Sequence, residues 1–198
     1  MNVSFQVDPS AIIGEKVNIG EGTRIWANAQ IREGASIGRN CNIGKDVYIG
    51  SSIQIGDNCK IQNSALIYEP ASLESGVFIG PGVIFTNDHN PRAVNPDLTS
   101  KSAEDWSPTG VKVGKGASIG AGAICIAPVE IGEWCLVAAG AVVTTNVPSH
   151  ALVVGSPARQ KGWVGKAGHK LVERGNYFEC PITGAKYRLS NGMLEEEA

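Results

Sequence analysis

From Ile13 the chain carries a large apolar residue at every sixth position, through Ile19, Ile25 and Ile31 up to Leu73, Ile79 and Phe85. Eleven of these thirteen residues are isoleucine. Four places after each comes a small or β-branched side chain, as in Val17, Thr23, Ala29, Cys41, Cys59 and Val83. The residue before that is often one that tolerates left-handed backbone, as at Gly22, Asn28, Gly34, Asn40, Asp46, Asn58, Gly76 and Gly82. A period of six is neither the 3.6 of a helix nor the 2 of a simple strand. It predicts a short strand and a sharp corner, repeated.

Three such sides close a triangular coil of eighteen residues, and stacked coils pair through parallel ladders about 4.8 Å apart. Isoleucine then stacks on isoleucine inside the prism, where its restricted χ1 suits it. Residues 13–84 make four complete coils. The beat returns at Val113, Ile119, Cys125, Ile131, Val137 and Val143 for two more, so the prism should stand roughly 30 Å tall. The fold class is all-β, a parallel β-helix of hexapeptide repeats. Twenty-five glycines and an aromatic content of 6% fit a thin core built from one small unit.

The beat breaks once. Phe85 to Val113 is 28 residues, not a multiple of six, so an inserted loop over 86–112 is expected to leave at one corner and return at another. It holds Asn87, Asp88, His89, Asn90, Arg92 and Trp106. Long loops without their own periodicity on a rigid scaffold tend to carry function. A thin prism has no deep cavity, so a site has to form between this loop and another surface.

Charge and cysteines narrow the classes. The net charge is −2 with signs interspersed, which gives no electrostatic footprint for nucleic acid or a membrane. MNVSFQVDPS lacks the basic and apolar regions of a signal peptide. No apolar stretch reaches the roughly 18 residues of a membrane helix, so a cytoplasmic location is expected. Cys41, Cys59 and Cys135 fall at the small inward place and Cys125 at the isoleucine place, so all four should act as buried small hydrophobes.

Units such as IGEGTR, IGRNCN, IGDNCK, IGAGAI and IGEWCL resemble those of the hexapeptide-repeat acyltransferases. The resemblance implies a left-handed β-helix, a homotrimer with active sites between subunits, and acetyl-CoA as donor. VGSPARQ resembles the segment that closes these transferases around coenzyme A. Ala121, Ala139 and Pro157 lie eighteen residues apart and, if the coil length holds, stack on one edge where a pantetheine arm can run. Arg159 and Lys161 follow where cofactor phosphates need positive charge.

The stretch KIQNSALIYEPASLESGVFIGPGVIFTNDHNPRA resembles N-acetyltransferases of nucleotide-linked 3-amino sugars, of the UDP-2-acetamido-3-amino-glucuronate or dTDP-3-amino-3,6-dideoxyhexose type. That resemblance implies that Asn87 and Asp88 contact the sugar amine, with Asp88 able to hold the ammonium or take its proton. His89 is the second candidate base. Gln62 and Asn63 replace the usual glycine after Ile61 and are expected to meet the sugar or nucleotide. Arg92 is assigned to a diphosphate or carboxylate, or to holding the loop. His150 and His169 are assigned to the surface.

The prism is expected to occupy residues 1–161. Residues 162–198 lose the beat and read as a β-hairpin appendage with an Asn-Gly turn. Some relatives look as though they carry a four-cysteine zinc ribbon there. This tail has Cys180 alone, where a structural zinc site wants four ligands, so no metal is expected. Two other classes compete: a γ-type carbonic anhydrase, disfavoured because the three histidines are widely spaced, and a structural β-helix without catalysis. Within the transferases, an O-acetyltransferase using His89 as base is the alternative.

Overall fold

The computed structural model describes residues 4–190 and 192–197. The repeat folds as a three-walled prism of two- to five-residue strands. Wall A starts at Gln6–Val7, one rung before the sequence beat, and climbs through seven further parallel rungs to Ala151–Val154. Wall B runs from Ile12–Ile13 to Val142–Val143, and wall C from Asn18–Ile19 to Val129–Ile131. Each rung pairs with the residue eighteen places on, as in Arg24↔Asn42, Gln30↔Tyr48 and Ser36↔Gln54. Eight rungs on wall A give a height of about 34 Å.

The six-residue beat becomes geometry at the corners. Every expected left-handed residue has positive φ, from Asn28 at 55° to Gly22 at 76°. Lys16, Ser52, Ser64, Trp134 and His150 also turn there without being glycine. The isoleucines from Ile25 upward, and Ala29, Cys41, Val47, Cys59 and their equivalents, form one continuous buried column. Cys125 and Cys135 lie in the same column as free thiols, and burial pushes both up to about 12.

Two departures from strict periodicity set up the rest of the molecule. The loop leaves wall B after Ile84–Phe85 and enters wall C at Val111–Val113, the very next wall. Leu73 accordingly pairs with Val113, forty residues on rather than eighteen. The insertion therefore spans 86–110 and replaces a single corner, instead of leaving at one and returning at another. Any length fits, because both ends meet at one edge, where the Thr109 amide donates to the Asn87 carbonyl (3.1 Å).

The second departure is at the top. Val147 bridges Ile131 and Val153 pairs with Val137, both sixteen residues apart. The chain steps from wall B to wall C in four residues there, and the Asn146 side chain accepts from the Glu130 amide (2.9 Å). Gly155 consequently takes the place expected for Pro157, its carbonyl accepting from Val142 N (3.0 Å). The chain then reverses, and Arg159–Trp163 pairs antiparallel to Ala151–Val154.

The appendage is larger than one hairpin. Val172–Arg174, Tyr177–Glu179, Lys186–Ser190 and Met193–Glu196 form a four-stranded antiparallel meander with its own small core of Leu171, Cys180, Tyr187 and Leu194. Asn191 of the expected Asn-Gly turn lies outside the described residues, as do residues 1–3. The meander docks on a corner residue assigned to the surface, His150, which is only 6% exposed. Its Nδ1 lies 2.9 Å from the Val164 carbonyl, and its ring packs on Tyr187 at 5.4 Å. A carbonyl only accepts, so Nδ1 carries the proton. Beside it, Lys166 pairs with Glu196 (2.6 Å) and reaches over the Trp134 ring (5.9 Å).

Desolvation holds the His150 pKa below its ordinary 6.5, aided by the charge of Lys166 and opposed by the Val164 carbonyl, Glu196 and Glu133. The folded state thus favours the neutral ring. Its contribution is full above about pH 6.5 and is lost as pH falls towards the lowered folded value. Thermal unfolding should therefore occur at a lower temperature at pH 5 than at pH 7.5. His150→Asn, which keeps a residue tolerant of φ 62°, should lower stability at pH 7.5 by about 1 kcal/mol and flatten that pH dependence. An undiminished dependence in the variant would contradict this account.

Candidate active site

The three edges of the prism are the places where side chains can gather. The corner between walls A and B holds Gln62 and Asn63 on the fourth rung, Ala121 on the sixth and Ala139 on the seventh. The corner between B and C carries the loop. The sequence-predicted residues therefore split between two parallel edges that flank wall B. Within one chain they are not brought together.

On the loop edge, Thr86 still belongs to the ladder. Its amide donates to the Cys125 carbonyl (3.0 Å), and its hydroxyl accepts from Ala127 N (3.0 Å). This ties the loop base to the corner above. Asn87 and Asp88 follow, both half-buried. The Asn87 side chain makes no hydrogen bond among the described residues. Asp88 Oδ1 accepts from Asn90 N (2.9 Å), which shapes the turn and leaves Oδ2 unpaired among the described residues.

His89 is exposed, with Nδ1 3.2 Å from the Ala127 carbonyl. That carbonyl can only accept, so Nδ1 bears the proton and Nε2 holds a lone pair. The backbone thus sets the tautomer a general base needs. Arg92 is exposed and donates to the neighbouring Pro91 carbonyl (2.9 Å), so it stays within its own turn.

Two residues at the loop base were missed by sequence reasoning. Glu69 Oε2 and Thr109 Oγ1 are enclosed without a hydrogen-bond partner among the described residues. Glu69 sits in the loop-edge corner one rung below, and Thr109 closes the loop on Asn87. Unpaired buried polar atoms are uncommon and concentrate at functional sites. The available signal for Glu69 was its place in the YEP corner, eighteen residues before Asn87.

The opposite edge changes character with height. On its lower rungs the left-handed residue is Asn28, Asp46 or Ser64, and higher up it is Gly82, Gly122 or Gly140. A Cβ added at any of these three glycines would meet nothing within 4 Å. With Ala121 and Ala139 exposed beside them, the upper edge is a bare strip of backbone with room alongside it for a slender chain. Pro157 lies outside this strip's register, beyond Gly155. Arg159 and Lys161 are exposed on the antiparallel strand at its top. These residues fit a pantetheine arm and its phosphates.

Lower on the same edge, Gln62 and Asn63 line a concavity of about 370 Å3 with Trp26, Asn42 and Lys45. Asn63 Oδ1 accepts from Lys45 N (3.0 Å). A larger concavity, about 540 Å3, lies on wall C beneath Met193 and holds none of the predicted residues. Its walls mix Glu74, Glu130, Glu133 and Lys112 with apolar side chains such as Val147 and Pro148, so volume alone does not mark the chemistry.

Residues 16–51 and 34–69 match the bacterial transferase hexapeptide family (six repeats), and residues 110–145 match the hexapeptide repeat of succinyl-transferase. A dTDP-3-amino-3,6-dideoxy-α-D-galactopyranose 3-N-acetyltransferase of Aneurinibacillus thermoaerophilus is 42% identical over 84 residues, 42% of this chain and 43% of that protein. A serine acetyltransferase of Escherichia coli K12 is 35% identical over 89 residues, 44% of this chain and 32% of that protein. A solved GDP-perosamine N-acetyl transferase variant from Caulobacter crescentus, in complex with CoA and GDP-perosamine, is similar with a TM-score of 0.54 and 25% identity, over 82% of this chain and 58% of that one. The chain thus spans less than half the length of these curated relatives. Repeat, corner geometry and ladder agree: the chain is a hexapeptide-repeat protein that folds as a left-handed parallel β-helix.

Proposed function

We propose that the chain is an acetyl-CoA-dependent N-acetyltransferase acting on the 3-amino group of a UDP- or dTDP-linked amino sugar, in cell-surface polysaccharide or sugar biosynthesis. One observation carries this reading: the Asn87 side chain, Asp88 Oδ2 and His89 Nε2, all without a partner among the described residues, stand in succession at the base of the loop that interrupts the prism. The 42% identical relative, named for acetylating a sugar 3-amino group, supports the choice of acceptor. In this reading residues 1–161 perform catalysis, 162–198 form an appendage, and no metal takes part.

The two half-sites meet in a homotrimer. The outward residues of wall B are Ile12, Gln30, Tyr48, Leu66, Ile84, Ile124 and Val142, apolar or aromatic at every rung but one. Those of wall C are Asn18, Ser36, Gln54, Ser72, Lys112 and Glu130. Apolar surface of that continuity is costly to leave in water. If wall B faces a threefold axis, ring closure sets the A–B edge of one chain against the loop edge of the next. The loop then faces Gln62 and Asn63 below and the bare strip above.

Acetyl transfer needs the amine, the thioester and the proton acceptor held in register. Asp88 and Asn87 hold the amine. As the amine nitrogen bonds the thioester carbonyl carbon, the proton it sheds passes to Asp88 Oδ2, with His89 Nε2 as the second acceptor, and the thiolate leaves as the C–S bond breaks. Arg159 and Lys161 hold cofactor phosphates, with Ala121, Ala139 and the turn at Pro157 flanking the arm. Arg92, exposed on the loop, meets the diphosphate or a sugar carboxylate. No helix among the described residues is long and apolar enough to cross a membrane. The reading places the enzyme in the cytoplasm with its donor.

The His89 tautomer and the serine acetyltransferase similarity also favour a second reading, O-acetyl transfer. A hydroxyl needs full general-base help, worth roughly 10²–10⁴ in rate, whereas a neutral amine is already nucleophilic.

A thiol-release assay with acetyl-CoA and a panel of UDP- and dTDP-linked 3-amino sugars tests the main reading. Turnover of at least one sugar is expected, and turnover of serine or sugar hydroxyls alone would replace it with the second. With an amine acceptor, His89→Asn should keep a substantial rate while Asp88→Ala and Asn87→Ala lose more. With a hydroxyl acceptor, His89→Asn should lose about 10²-fold or more. Light scattering tests the assembly: a mass of three chains is expected, reduced to one by Leu66→Glu with Ile84→Glu and unchanged by Ser72→Glu on wall C.

A further inference from the structure

On the lower part of the A–B edge stands a feature that the acetyl-transfer reading leaves unused. Trp26 is 50% exposed although it lies on a rigid corner. Its indole N–H donates to Asn42 Oδ1 at 2.6 Å, which fixes the ring's orientation. Two concavities, of about 370 and 250 Å3, open on either side of it. A large aromatic held in place by its polar end, with open space on both sides, presents a flat face for another ring.

Charge around it is graded: Asp8 lines the lower concavity, and cations gather beside and above the ring. Arg24 and Lys60 point outward on wall A, directly below and above Asn42 in the ladder. Neither makes an ion pair or side-chain hydrogen bond among the described residues. Lys45, on the corner above Trp26, is paired among the described residues only with the half-buried Asp46.

Height along the prism orders these groups. Trp26 lies on the second rung, Lys45 on the third, Lys60, Gln62 and Asn63 on the fourth, and the loop base on the fifth. Three rungs separate Trp26 from the loop level, about 14 Å. A sugar nucleotide has this order: a planar base, two phosphates, then the sugar. The bare strip assigned to the donor lies on the rungs above the loop, so donor and acceptor approach from opposite ends.

We propose that Trp26 is the base-stacking platform of a nucleoside diphosphate subsite, with Lys45 and Lys60 on the phosphates and Gln62 and Asn63 beside the sugar-proximal end. This rests on the sugar-nucleotide reading above. It adds that the nucleotide is held by the lower A–B edge, through stacking rather than base-edge readout. Stacking tolerates different bases. The site therefore takes UDP and dTDP alike, and discrimination falls to the sugar end.

Calorimetric titration of the full chain with UDP, dTDP and ribose 5-phosphate, alongside light scattering, tests this. Both nucleotides should bind saturably and quench tryptophan fluorescence. Trp26→Ala should weaken them about tenfold or more with the assembly mass unchanged, and Trp26→Phe should stay within about threefold. Ribose 5-phosphate, lacking a base, should bind wild type and Trp26→Ala equally. Equal nucleotide affinity in wild type and Trp26→Ala overturns the proposal, as does weakening that appears only with loss of the oligomer. Nucleotide binding through Trp26 with no acetylation of any amino sugar removes the transferase reading and leaves the subsite standing. Acetylation with an unchanged KM in Trp26→Ala removes the subsite alone.

Discussion

The registry of one coil upon the next governs this molecule. Each rung contributes only a few parallel hydrogen bonds, and each isoleucine has value only when it lands on the isoleucine above and below it. An extra residue in any strand would turn that strand's side chains to the opposite face and break the column. Length can therefore change only at corners. Both observed changes occur there, twenty-two residues gained after Phe85 and two lost after Val143, and the column continues past each. The loop with its acid, amide and imidazole is the form that variation takes in a fold whose walls cannot vary.

The same registry turns edges into rulers. A corner repeats every eighteen residues, so sequence distance along one edge converts directly into height. Gln62 and Asn63 stand two rungs above Trp26, and Ala121 stands two rungs above Ser64's corner. The edge is polar and side-chain-rich below, then glycine and alanine above, with the change occurring at the loop's level. Below that level a ligand meets hydrogen-bonding groups and an aromatic face. Above it a ligand meets backbone. In the proposed reading two different molecules, one compact and charged and one long and thin, share one edge without any cavity in the prism.

What the sequence reveals follows from which forces are periodic. The prism's core was legible from Ile25 upward, because Ile25, Ile43 and Ile61 answer to one repeated constraint, whereas the appendage's core of Leu171, Cys180, Tyr187 and Leu194 has no period to reveal it. The left-handed corners were legible where Gly, Asn or Asp fills them, and hidden at Lys16, Trp134 and His150, where ladder hydrogen bonds override the residue's own preference. The shortened corner at Thr144–Asn146 was invisible, since Val143 and Val147 are both apolar and only pairing shows that one step is four residues. For that reason Pro157 was misplaced and Gly155 took its position. His150 passed as a surface residue because its burial comes from Tyr187 and Val164, which belong to the appendage and lie far along the chain. The face of wall B was in plain view: reading the residue before each isoleucine in three phases separates Ile12, Tyr48, Leu66 and Ile84 from Asn18, Ser36, Gln54 and Ser72.

A prism this thin has no interior in which to exclude water, and acetyl transfer benefits from excluding it. In the proposed reading the reactive groups stand on one edge and the binding groups on another, with an apolar wall between. On that division a lone subunit would hold two exposed half-sites and no complete one. Under the proposed trimer, bringing walls B together around an axis would bury the apolar face, pair unlike edges and close the cleft in a single event, so that assembly and catalytic competence would share one driving force. The dispersed side chains of the single chain are what that assembly predicts, with the second half of the proposed site supplied by an identical neighbour.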